Sequence, residues 1–124
     1  MKIYKLFFWI WAVVIITLSS VPSLKIPLKD GISWDKLAHF SEYLILSFLY
    51  YKFKFQSGYS VQSIKTHLIY MLFTIPLLDE LHQLLIPGRQ FSFYDIVADM
   101  LGFSMIILYL ELKTRKMAYA KSSK

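Results

Sequence analysis

Long hydrophobic runs alternate with short polar connections along the whole chain. Four such runs are predicted to be helices, at residues 5–22, 35–53, 65–86 and 95–113. Each run holds roughly 17 to 22 residues, about the length that a helix needs to cross a membrane. The connections are short, which favours antiparallel neighbours. The pattern therefore predicts an all-α fold, a four-helix transmembrane bundle of up-down-up-down order in which residues 1–124 form one domain.

Two of the runs need further interpretation. Lys2 and Lys5 stand at the start of the first run, as in a cleaved signal peptide, but the run passes into a Pro-containing segment without a clear small-x-small cleavage site. A retained helix is therefore favoured over a signal peptide. The third run contains Pro76, which removes a backbone donor and is expected to kink or loosen that helix.

The composition agrees with a membrane protein. Of the residues, 56% are hydrophobic and 18% aromatic, and the mean hydropathy is +0.48. A soluble domain of this size could not bury so much apolar surface. There is no cysteine, which excludes disulfides, thiolate metal sites and a cysteine nucleophile. The net charge of +6 lies beside the hydrophobic runs rather than along one polar face, so no nucleic-acid partner is expected.

The positions of the lysines and arginines predict how the helices are oriented in the membrane. Ten of the 14 lie before the first run, around the connection between the second and third runs, and in a basic tail at residues 113–124. Because basic residues stay on the cytoplasmic side, both termini are predicted to be cytoplasmic. The connections at residues 23–35 and 87–94 then lie outside. The expected location is the cell membrane, as a multi-pass protein.

Ionisable residues collect at the predicted outer ends of the last three runs. A charge in hydrocarbon is costly, so such residues usually face a protein interior or a cavity. Asp35, His39 and Glu42 have the spacing of one helix face. Gly102 is expected to let another backbone approach closely. We therefore predict one outward-facing polar pocket, which includes Asp35, Lys36, His39, Glu42, Asp79, Glu80, Gln83, Asp95 and Asp99.

Six carboxylates in this region face only two permanent cations, Lys36 and Arg89. Shared protons could serve acid–base chemistry, a divalent cation could be held, or salt bridges such as Arg89 to Asp95 could lock the bundle. All three interpretations remain open. His39 is the best proton-transfer candidate because an imidazole exchanges protons near neutral pH. The guanidinium of Arg89 could hold a phosphate through two hydrogen bonds. His82 is interpreted as a surface residue at the membrane interface.

The order and spacing of several motifs resemble the VanZ-like family over nearly the whole chain. The motifs are Ser19-Ser20-x-Pro22, Asp35-Lys36-x-x-His39-Phe40-x-x-Tyr43, and Asp79-Glu80-x-x-Gln83-x-x-x-Pro87-Gly88-Arg89-x-x-Ser92-x-x-Asp95-x-x-x-Asp99-x-x-Gly102. The resemblance implies a small integral protein of the bacterial cytoplasmic (inner) membrane. The family is named for an accessory protein of resistance to the glycopeptide antibiotic teicoplanin, a role that resemblance alone does not transfer. At Asp99 the chain departs from the family, which more often has asparagine there.

These observations lead to one hypothesis, a pocket that binds or processes a lipid or cell-envelope precursor head group at the outer leaflet. The candidate catalytic residues are His39, Asp35, Glu80 and Asp95. The candidate substrate-binding residues are Lys36, Gln83, Arg89, Ser92, Asp79 and Asp99. A divalent cation, if bound, would be held by Asp35, His39, Glu80 and Asp95.

Whether a reaction is catalysed stays open, and two other classes compete. The first is a non-enzymatic interaction protein whose polar cluster is structural. The second is an ion-coupled carrier, which is disfavoured because residues 68–78 hold no charge that could relay an ion through the inner half of the membrane.

Overall fold

A computed structural model describes residues 3–22 and 34–123, and this part of the chain contains four α-helices and no strand. The predicted all-α fold is confirmed for these residues. Most of the predicted outer connection at 23–35, including Lys25 and Lys29, lies outside the described residues. The helices are α1 (Ile3–Ser19), α2 (Trp34–Gln56), α3 (Val61–Gln83) and α4 (Phe93–Ser122).

Serine caps make two helices begin earlier than hydrophobicity predicts. The Ser60 hydroxyl accepts a hydrogen bond from the Ser63 amide at 3.1 Å, so α3 begins at Val61 rather than at residue 65. The Ser92 hydroxyl accepts from the Asp95 amide at 3.3 Å, so α4 begins before residue 95. Such caps satisfy amide groups that have no partner within the helix.

The C-terminal ends of the helices also differ from the prediction. α2 and α4 end three and nine residues later than expected, so residues 114–122 of the predicted tail are helical. α1 and α3 each end three residues earlier. Gly58 and Gly88, with φ of +85° and +80°, form the turns after α2 and α3. α3 continues through the buried Pro76, so the expected interruption does not end the helix.

α2 and α4 approach each other most closely at Gly102. A Cβ atom at this position would lie 2.6 Å from the Phe40 carbonyl oxygen and 2.7 Å from the Leu44 amide nitrogen. The predicted close approach at Gly102 is therefore confirmed. It brings the face of α2 that carries His39 and Tyr43 against α4.

Aromatic side chains fill much of the space between the helices. Tyr43 packs against Phe103 with ring centroids 5.7 Å apart, and both are fully buried. The rings of Phe8 in α1 and of Phe53, near the end of α2, pack with their centroids 5.9 Å apart. The Trp11 indole donates a hydrogen bond to the Glu42 carbonyl at 2.9 Å, so α1 is held against α2.

The outer surface of the bundle is strongly apolar. Phe73, Leu78 and Leu101 are each more than half exposed, as expected for side chains that face lipid rather than water. Two helices, α3 and α4, are long and apolar enough to cross a membrane, and α1 is apolar but has 17 residues. These features suggest a membrane protein. Crossings by α1 and α2 stay a prediction.

Candidate functional site

The outer part of the polar cluster is organised by Lys36. Its ammonium group forms ion pairs with Asp35, at 3.0 Å, and with the buried Asp95. It also donates to the Ser92 hydroxyl at 3.3 Å. Asp95 lies in the first turn of α4, which faces the beginning of α2. The ion pair of Arg89 with Asp95, one of the alternatives left open by the sequence, is not formed, because Lys36 pairs with Asp95 instead.

Arg89 binds the end of α1 instead of a carboxylate. Its guanidinium donates to the carbonyl oxygens of Leu18 and Val21, each at 3.1 Å, and to the Gln83 side-chain oxygen at 3.2 Å. The last carbonyls of a helix have no intrahelical partner and carry partial negative charge. Arg89 therefore caps α1 and joins it to the end of α3.

His39 lies between two acids of α4. Its Nδ1 atom is 2.9 Å from Asp99 Oδ1, and its Nε2 atom is 3.8 Å from Asp95 Oδ2. All three side chains are buried, and Asp99 is 0% exposed. Because Asp95 and Asp99 are one turn apart, α4 presents both carboxylates to the same imidazole.

The acids of α3 have fewer partners. Asp79 accepts a hydrogen bond from the Gln83 amide at 3.2 Å. Glu80 is fully buried, and its Oε2 atom accepts from the Ser92 backbone amide at 2.8 Å. Lys36 and Glu80 both contact Ser92, and this residue therefore connects Glu80 of α3 to the ion pairs of Lys36.

Three buried polar atoms have no hydrogen-bond partner among the described residues. They are Glu80 Oε1, Asp99 Oδ2 and the Tyr43 hydroxyl. A buried polar atom without a partner costs about 1–3 kcal/mol. Sequence reasoning assigned no role to Tyr43. Its position four residues after His39 was the available signal, because that spacing puts both on one face.

The ligand-type atoms form two compact groups. One holds Asp35, His39 and Asp95, and the other holds His39, Asp79 and Asp99; within each group these atoms lie within 4.8 Å of one another. Glu80, which was expected beside the first group, belongs to neither. The Glu42 side chain is half-buried and makes no hydrogen bond with the described residues.

An apolar groove of about 490 Å³ lies beside this cluster, between α1, α2 and α3. His82 was interpreted as a surface residue, but it is half-buried, and its Nε2 atom lies 3.0 Å from the Ser20 hydroxyl. The polar residues that line the groove are Tyr43, Asp79 and His82. Its apolar walls are Phe8, Trp9, Ala12, Ile15, Ile16, Leu46, Ile75 and Leu78.

A helical bundle with an apolar outer surface and buried ionisable side chains has the features of an integral membrane protein. The chain belongs to the VanZ/LLP1 family, whose family model matches residues 2–114. The resemblance seen in the motifs is thereby confirmed. A comparison with curated proteins and one with solved structures each found no match.

Proposed function

We propose that this protein binds a phosphate-bearing lipid or envelope precursor at the outer leaflet of the bacterial cytoplasmic membrane. The hydrocarbon lies in the apolar groove, and the head group meets the polar cluster. The proposal depends on one observation, an apolar groove of about 490 Å³ that reaches Tyr43, Asp79 and His82. Ligand sites typically combine apolar walls with a few convergent polar groups and have volumes of roughly 300–1,000 Å³.

The membrane arrangement belongs to the same proposal. All four helices cross in alternating directions, with both termini in the cytoplasm. The contact of Phe8, near the start of α1, with Phe53, near the end of α2, supports this order. So does the ion pair of Lys65, early in α3, with Glu111, late in α4. The apolar groove then extends from Phe8, towards the cytoplasmic side, to Asp79 and His82 at its outer end.

Arg89 and His82 are the proposed anchors of the head group. Both contact the end of α1, Arg89 through Leu18 and Val21 and His82 through Ser20. A guanidinium has five N–H donors, and three are used here, so it can still meet a phosphate oxygen. Lys36 is engaged by two carboxylates, which makes Arg89 the stronger anion contact.

If the bound lipid is processed as well as held, His39 is the proposed proton-transfer group. It contacts Asp99 directly and faces Asp95, and Asp35 and Asp79 are the other acids grouped with it. A general acid or base must reach the proton that it transfers, so substrate entry between α2 and α4 would be required. A link to glycopeptide resistance would follow if the ligand is an envelope precursor.

The hydrocarbon part is tested by native mass spectrometry of the detergent-purified protein with phosphatidylglycerol or undecaprenyl pyrophosphate. We expect Ala12→Trp to fill the apolar groove and reduce the retention of both lipids at least about tenfold, which corresponds to 1.4 kcal/mol. Val13→Trp is the matched control, because Val13 lies on the same helix, is 61% exposed and does not line the groove. Equal retention in the two variants would contradict the proposal.

The head-group part needs a comparison of two lipids. Arg89→Gln is expected to weaken binding of phosphatidylglycerol but not of diacylglycerol, which has the hydrocarbon without the phosphate. If both bind less well, Arg89 acts only by holding α1 in place. If His39→Ala and Asp95→Ala bind and process the lipids as the wild type does, the polar cluster has no part in the function.

A second candidate is a non-enzymatic interaction protein whose cluster specifies helix packing. It is favoured by the bonds that join different helices, Lys36 to Asp95 and His39 to Asp99. On this interpretation, Asp79→Asn and Glu80→Gln lower the stability of the bundle while lipid retention does not depend on the groove variant. Thermal unfolding measured beside the lipid assay separates the two candidates.

A further inference from the structure

We propose that His39, Asp79 and Asp99, with the Tyr43 hydroxyl, form a binding site for a divalent transition-metal cation between α2, α3 and α4. This site lies further from the end of the bundle that carries Asp35 than does the group of Asp35, His39 and Asp95, because Asp99 is one turn further along α4 than Asp95. It differs from the metal set expected from the sequence, which included Asp35, Glu80 and Asp95. It does not depend on lipid binding.

The geometry brings one ligand from each of three helices together. His39 is on α2, Asp79 on α3 and Asp99 on α4, and their ligand atoms lie within 4.8 Å of one another. His39 Nδ1 and Asp99 Oδ1 are 2.9 Å apart. Neighbouring ligands of an octahedral ion with bonds of about 2.1 Å are separated by about 3.0 Å. The pair can therefore bind one ion without a large movement.

Unpartnered polar atoms point to the same place. The buried Tyr43 hydroxyl lies close to the carboxylates of Asp79 and Asp99. Asp99 Oδ2 has no partner among the described residues, and the side chains of Tyr43 and Asp99 are both 0% exposed. Buried polar atoms in folded proteins are nearly always paired, so a ligand that these oxygens can bind accounts for both.

The charges favour cation binding by the group of His39, Asp79 and Asp99 (the inner group) over binding by Asp35, His39 and Asp95 (the outer group). The Lys36 ammonium already forms ion pairs with both Asp35 and Asp95 and offsets one of their two charges. Asp79 and Asp99 have no lysine or arginine partner among the described residues and share only His39. Two carboxylates at a buried site are costly without compensation. A divalent cation balances both and leaves His39 a neutral ligand.

The ligand types select the class of ion. One imidazole nitrogen with two carboxylates suits Mn²⁺ or Zn²⁺, whereas Mg²⁺ and Ca²⁺ prefer ligands that are all oxygen. Three protein ligands leave positions for water or the Tyr43 hydroxyl. His39 Nε2 faces Asp95, and a carboxylate beside the second nitrogen commonly orients a metal-binding histidine.

The test uses the full chain in detergent, freed of metal by chelation and without added lipid. Mn²⁺ binding is followed by electron paramagnetic resonance, and Zn²⁺ binding by calorimetry. We expect saturable binding, with Asp99→Asn lowering the affinity at least about tenfold. Asp35→Asn is the matched control, because it makes the same change in the outer group, at a side chain that is 51% exposed. It is expected to leave the affinity unchanged.

A spectroscopic signal identifies the nitrogen ligand. Bound Mn²⁺ should show ¹⁴N coupling from a directly coordinated imidazole, and His39→Gln should abolish it. If Asp99→Asn does not fold, Asp79→Asn replaces it in the same titration. Absence of saturable binding, equal losses in Asp35→Asn and Asp99→Asn, or bound Mn²⁺ without the coupling would each overturn the site. Because the titration contains no added lipid, failure of the metal site would not count against the proposed lipid binding.

Discussion

Gly102 is the position where one added methyl group perturbs the bundle most directly. In Gly102→Ala the new Cβ would lie 2.6 Å from the Phe40 carbonyl oxygen, 2.7 Å from the Leu44 amide nitrogen and 3.1 Å from the Tyr43 carbonyl carbon. All three are backbone atoms, so no side chain can rotate away. The added methyl must therefore push α2 and α4 apart.

The size of the effect follows from two opposing contributions. Alanine stabilises a helix interior by about 1 kcal/mol relative to glycine. Ordinary contact needs about 3.4 Å, so the helices must separate by about 0.8 Å, and a gap of 0.5–1 Å forfeits a quarter to a half of each dispersion contact. Overpacking of this kind typically costs about 1–3 kcal/mol. Because only backbone atoms can move, we take the upper value of about 3 kcal/mol for overpacking. After subtraction of the gain of about 1 kcal/mol from alanine, the free energy of unfolding is expected to fall by about 2 kcal/mol.

The measurement is reversible unfolding of the purified protein in mixed micelles with increasing sodium dodecyl sulfate, followed by tryptophan fluorescence. Gly58→Ala is the matched control. It adds the same methyl at a glycine whose Cβ would meet nothing within 4 Å, so its cost comes from the positive φ alone. Metal titration of Gly102→Ala gives a second measurement, because the separation moves His39 away from Asp99.

The expected order is that Gly102→Ala destabilises the bundle more than Gly58→Ala does. An unfolding free energy of Gly102→Ala equal to or above that of the wild type would refute the reasoning. It would show that α2 and α4 do not meet at the backbone of residue 102. An intact stability together with weakened Mn²⁺ binding would also refute it, since both effects are attributed to the same separation.

Three further substitutions test single contacts by the same unfolding measurement. Lys36→Met removes the lysine partner of the buried Asp95 and should lower the free energy of unfolding by about 1–2 kcal/mol, after allowance for the partial exposure of Lys36. If the further change Asp95→Asn restores none of this stability, the ion pair does not stabilise the bundle. Ser92→Ala removes the N-cap of α4 and should lower the free energy of unfolding by about 1 kcal/mol. An unchanged free energy of unfolding would contradict a stabilising role of this cap. Trp11→Phe removes the bond to the Glu42 carbonyl and should cost about 0.5–1.5 kcal/mol, and a neutral result would contradict that contact.

The hydrophobic pattern alone identified the four helices, because a long apolar run has few alternatives to a helix. It missed the serine caps and the helical character of residues 114–122, where hydrophobicity carries no signal. Helical spacing also placed His39 and Asp99 in one cluster, and the structure brings them to 2.9 Å. Gly102 was recognised for the same reason, since a glycine in an apolar helix marks a close approach.

The partners within the cluster were decided by the tertiary structure. Lys36, rather than Arg89, meets Asp95, while Arg89 binds the carbonyls that end α1. Periodicity determines which residues share a helix face, but the rotation and height of one helix against another depend on packing along its whole length. A shift of one turn, about 5.4 Å, would exchange every ion pair. The sequence by itself therefore determined which ionisable residues gather at one end of the bundle, and only the assembled bundle determined which of them are buried and which meet.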